Sequence, residues 1–142
     1  MSILGKIISP ILFSIATSSY AQGKYEKAAK LYYKSIALDP QQGDIEYTYN
    51  CLGRCFKEIG DYSKALNNFS RSYDIYRKKE VIFKNDLQKR EFRNMLLTYK
   101  NMLKGFGTIE KMEEVENEAK RMGVDLNEDE EEAVTSYHTL PK

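Results

Sequence analysis

The chain has 142 residues, 42% hydrophobic and 30% charged, a length and balance that suit one soluble globular domain with a real core. Two cysteines and a single histidine are too few to build a zinc centre. The net charge of +1 conceals an asymmetry: residues 1–104 carry 18 Lys/Arg against 10 Asp/Glu, and residues 105–142 carry 4 against 11.

Residues 1–21 read in two ways. Met1 to Lys6 is a weakly positive start, Ile7 to Ala16 is mostly apolar, and Ser19-Tyr20-Ala21 suits a signal peptidase. Against this, Ser9-Pro10 suits a helix start, with serine as cap and proline in the first turn. Ile11, Leu12, Ile15, Ala16 and Tyr20 then fall on one helical stripe. Cleavage after Ala21 would strip that helix from the residues it covers. The run is expected to be too short, and too interrupted by Ser, Pro and Thr, to span a bilayer. Ile3, Leu4, Ile7 and Ile8 exceed what one hairpin needs, which leaves them to cap a stack or to form a homo-oligomer contact.

Next comes Gly23-Lys24-Tyr25-x-x-Ala28-x-x-x-Tyr32-x-x-Ser35, and Asp39-Pro40 ends that helix. The same pattern returns at a constant offset of 37 residues as Gly60-Asp61-Tyr62-x-x-Ala65-x-x-x-Phe69-x-x-Ser72. Tyr49, Leu52 and Phe56 form the stripe ahead of the second break, with Gly53 small where two antiparallel helices must approach closely. Cys51 and Cys55 lie four apart on this helix, a poor spacing for a disulfide, and read as small buried hydrophobes.

A third unit is degenerate. Leu96, Tyr99 and Leu103 make a stripe, Gly105-Phe106-Gly107 breaks it, and Ile109, Met112, Val115, Ala119 and Met122 resume it. The glycine offset grows to 47 residues, Tyr99-Lys100 stands in place of Leu52-Gly53, and Glu116 in place of the late aromatic. Asp125-Leu126-Asn127-Glu128 reads as a capping box, followed by an acidic run.

This pattern of large residue, Leu-Gly, aromatic, Ala, aromatic and Pro resembles the tetratricopeptide repeat family. The resemblance implies an all-α, right-handed α-α superhelix of stacked helical hairpins. The hairpins are expected at about 9–40, 44–80 and 86–123 within a domain over 1–123. Residues 124–142 are expected as an acidic capping helix or tail.

The family's first helices line a concave groove for a peptide or helix of a partner. Projected here, the groove residues are Phe13, Thr17 and Tyr20, then Asn50, Arg54 and Lys57, then Leu97, Asn101 and Lys104. Asparagine suits an extended peptide backbone, and the cations suit a carboxylate or acidic segment. Members that grip the acidic C-termini of cytosolic heat-shock chaperones use a set of Lys, Asn and Arg. Phe13, Thr17, Cys51, Asn94 and Thr98 stand at those positions, so that partner is not expected.

The sequence holds no recognisable catalytic constellation. His138 has no neighbouring nucleophile pattern, and Gly105-Phe106-Gly107 lacks the strand and lysine of a phosphate loop. The expected function is a non-catalytic adaptor or assembly factor, without cofactor or metal, that binds a protein segment. A small repeat chaperone for exported proteins is the runner-up. A nucleic-acid role, suggested by Arg77, Lys78, Lys79, Lys84, Lys89, Arg90 and Arg93 around Phe83 and Phe92, stands further behind. A cytoplasmic setting is expected, or a secreted or periplasmic one if residues 1–21 are a signal.

Overall fold

The computed structural model describes residues 2–79, 83 and 85–126. Among these residues every regular element is a helix: α1 (Ile3–Ala21), α2 (Tyr25–Leu38), α3 (Ile45–Ile59), α4 (Tyr62–Lys79), α5 (Asp86–Gly105) and α6 (Ile109–Arg121). The chain falls into two compact units, residues 1–75 and 76–142. The acidic run and His138 lie outside the described residues.

The first helix begins earlier than the Ser9-Pro10 signal suggested. Ser2 is the cap, its Oγ accepting from the Gly5 N–H at 3.0 Å. Pro10 lies inside the helix, and Ser9 is turned inward. The Ser9 hydroxyl donates to the Ser35 carbonyl at 2.8 Å, and the Ser35 hydroxyl donates to the Ser9 carbonyl at 3.0 Å. A serine expected to start one helix therefore joins two. Gly5 is the tightest point of this pairing: a Cβ there would lie 2.5 Å from the Leu38 carbonyl oxygen.

The earlier start also corrects the expectation about length. Over 19 residues, with a mean hydropathy of 1.3, α1 is long and apolar enough to cross a membrane. Its inner face nonetheless supplies Gly5, Ser9, Ala16 and Ser19 to the interior of the first unit.

The turns repeat one device. Gly23, Gly60, Gly107 and Gly123 all have positive φ, between 74° and 90°. In each, the following residue's N–H reaches back to the closing turn of the helix: Lys24 to Ser19, Asp61 to Phe56, Thr108 to Leu103, and Val124 to Ala119, all at 2.8–2.9 Å. Left-handed backbone at the glycine thus satisfies carbonyls that a helix end leaves open.

Packing of the first unit follows the 37-residue offset. Ser72 donates to the Glu46 carbonyl at 2.7 Å, just as Ser35 donates to Ser9. Gly53 lies against Phe69 so closely that a Cβ would meet the ring at 2.6 Å. Leu52, Ala65 and Phe69 are fully buried there. The connection between α2 and α3 is tied by Gln42, whose amide donates to the Ser35 and Asp39 carbonyls and accepts from Thr48.

In the second unit, Asn85 caps α5 by accepting from the Gln88 N–H at 2.8 Å. Phe92 is buried between Tyr76 and Phe83, with ring centroids 4.3 and 5.3 Å away. Met95, Leu96, Tyr99, Val115 and Ala119 complete the interior with Val124 and Leu126. Where the second hairpin sets Gly53 against Phe69, this unit sets Lys100 against Glu116, in an ion pair of 3.0 Å with Lys100 only 9% exposed.

Candidate functional site

Helices α1 and α3 bring four of the expected site residues into one aromatic and cationic cluster in the first unit. The half-buried Phe13 ring lies 5.3 Å from Tyr32, edge-on, and 6.0 Å from Tyr47. Thr17 donates to the Phe13 carbonyl at 3.1 Å, which leaves the Tyr32 hydroxyl to donate to Thr17 at 2.9 Å. Tyr20 lies edge-on to Tyr25 at 5.1 Å, and the Arg54 guanidinium covers the Tyr20 ring at 5.1 Å. An arginine stacked on an aromatic keeps its charge.

Burial pushes the Tyr32 phenol above the ordinary tyrosine range, with the nearby Cys51 adding to the shift, so the ring stays a hydrogen-bond donor. Burial likewise pushes the Cys55 thiol up to about 12. Both cysteines are buried thiols outside any disulfide, and a neutral thiol closed to solvent is a poor nucleophile. Among the described residues, no three of His, Cys, Asp and Glu come together as metal ligands would.

The remaining expected residues are distributed differently. Lys57 is exposed beside the cluster on α3. Asn50 is turned inside at 2% exposure, and its Oδ1 has no hydrogen-bond partner among the described residues. An unpaired buried acceptor costs about 1–3 kcal/mol. In the second unit, Leu97 is buried, whereas Asn101 and Lys104 are exposed on α5.

Sequence reasoning placed Tyr25 and Tyr32 in the repeat pattern but assigned neither them nor Tyr47 to the site, and all three build the walls of the cluster. Tyr47 precedes Asn50 by three residues and so shares its helix face, the signal that could have found it. Tyr49 faces elsewhere, with Arg71 over its ring at 5.6 Å.

Small residues at the helix crossings, glycine-terminated helices and hydrogen bonds repeating at a fixed offset define a helical-hairpin repeat protein. Residues 8–78, half of the chain, match the tetratricopeptide repeat model. The chain belongs to the tetratricopeptide repeat family, a family of protein–protein interaction modules. No curated protein and no solved structure matches it.

Proposed function

We propose that the chain is a non-catalytic adaptor or assembly factor. In this reading it binds a peptide or helical segment through the cluster of Phe13, Thr17, Tyr20 and Arg54. The observation that carries this is the Arg54 guanidinium held 5.1 Å over the Tyr20 ring, on the same helix flank as the half-buried Phe13 two turns earlier. Stacking fixes the arginine, so less side-chain freedom is lost when it meets a carboxylate. The rings beside it suit an apolar anchor. The preferred ligand is therefore a short segment with one large apolar residue and an acidic residue nearby. Lys57, exposed one turn further along α3, adds attraction for the acidic part.

The test is selection of random dodecapeptides on the immobilised chain, followed by affinity measurement. Enrichment of acidic peptides carrying an aromatic or aliphatic anchor is expected. Arg54→Glu should weaken the best peptide about 10–100-fold, a loss of about 1.4–2.8 kcal/mol, with helical content unchanged. Peptides that bind the Arg54→Glu and Tyr20→Ala variants as well as the parent would contradict the assignment. A cytoplasmic setting goes with this reading, because removal of residues 1–21 would take away Phe13, Thr17 and Tyr20.

A further inference from the structure

On α1 the residues opposite the buried face are apolar. Ile3 is 79% exposed, Leu4 64%, Ile7 58%, Ile11 54% and Ile15 43%. Together they leave on the order of 500 Å² of apolar side chain open on one helix, in the range where such patches mark contact sites. Only 22% of the apolar stretch of α1 is buried. Phe13, Thr17 and Tyr20 project from its flank toward the cluster, so this outer face is separate from the peptide site.

We infer that this face pairs with the same face of a second copy of the chain, with the two α1 helices antiparallel. The spacing supports a helix as the occupant. Leu4, Ile7, Ile11, Ser14 and Ser18 recur at alternating steps of three and four, the seam of a two-helix coil.

The distribution of bulk supports the antiparallel direction. Large residues fill the first half of the seam and serines the second. A two-fold axis at Ile11 sets Leu4 against the partner's Ser18, large against small, and closes the middle with Ile7 against the partner's Ile15. A parallel pair would set large against large at one end and leave the serine end loosely filled.

Charge agrees with this choice. Lys6, the only charged residue of α1, is exposed and lies off the seam, so the pairing buries no charge. Antiparallel pairing separates the two lysines and opposes the helix dipoles favourably. Two such faces together cover about 1,000 Å², where specific interfaces begin.

The test uses the full chain in light scattering coupled to size exclusion, from about 1 to 200 µM, across which an interface of this modest size should assemble. The expected mass rises toward twice 16.5 kDa with concentration. Ile11→Asp should hold the mass at 16.5 kDa throughout, with helical content and peptide affinity retained because Ile11 is exposed. Ile11→Cys should form a disulfide-linked dimer under mild oxidation, whereas Lys24→Cys should not. A 16.5 kDa species at every concentration would overturn the proposal. So would an Ile11→Asp dimer as strong as the parent, or a monomer that sediments with phosphatidylcholine vesicles. None of these outcomes depends on Arg54, so the pairing and the peptide site succeed or fail separately.

Discussion

The second hairpin and the third solve the same crossing with opposite chemistry. Between α3 and α4, Gly53 yields its whole side-chain volume to the fully buried Phe69 ring. Between α5 and α6, the matching positions carry Lys100 and Glu116, paired at 3.0 Å. The first hairpin follows the apolar solution with Ala16 and Tyr32, both buried. A repeat signature is thus a statement about steric fit: a small residue beneath a ring. A charge pair can occupy the same place, but only if both partners are present, because neither desolvated group is tolerable alone. The family match spans residues 8–78, and helices α5 and α6 follow it.

Substitutions at the two crossings separate these solutions. Gly53→Leu should have the largest effect, about 3 kcal/mol or more, because the Phe69 ring has no room to retreat. Chemical denaturation measures it. Adding Phe69→Ala should restore part of the loss, and a double mutant no better than the sum of the two singles would refute the contact.

Glu116→Ala should cost less, about 2 kcal/mol, because the glutamate side chain is 26% exposed and water offsets part of the lost partner. Changing both residues, Lys100→Met with Glu116→Leu, should recover that loss. A Glu116→Ala protein of parental stability would show the pair to be ornamental.

The serine bonds bind the first two hairpins into one scheme. Ser35→Ala and Ser72→Ala should each cost about 1 kcal/mol, and by similar amounts, since each removes one buried bond to a neighbouring carbonyl. Markedly unequal losses would break the equivalence of the two repeats.

The last effect shows only at high pH. Cys55 is held neutral in the fold, with its thiol pushed up to about 12 from the ordinary 9.0. The unfolded chain releases that proton first, so this contribution is present below pH 9 and is lost as pH rises toward about 12. Denaturation midpoints should fall more steeply over that window for the parent than for Cys55→Ala. Identical slopes would remove Cys55 as the cause.

The fold class and the family were legible because their carriers are local. The glycine breaks at Gly23, Gly60 and Gly107, the Ala28 and Ala65 positions and the small Gly53 all belong to short sequence patterns. The start of α1 was not legible, because Ser9-Pro10 has the chemistry of a cap. Only the contact with Ser35, 26 residues away, shows that Ser9 faces inward. The same holds for Lys100 and Glu116, which as separate residues look like solvated surface.

The candidate site was legible in outline. Helical spacing set Phe13, Thr17 and Tyr20 on one flank, and the structure draws Arg54 to Tyr20. Spacing alone did not tell that Asn50 and Leu97 turn inside, since residues flanking a buried stripe lie within one helical step of either environment.

The most direct test of the binding account is an amide and side-chain NMR titration of the chain with the best selected peptide. Shift changes should concentrate at Phe13, Thr17, Tyr20, Tyr47 and Arg54, with the Arg54 side-chain signals moving furthest. Saturable binding that leaves these residues unmoved and perturbs only residues 86–126 would contradict it.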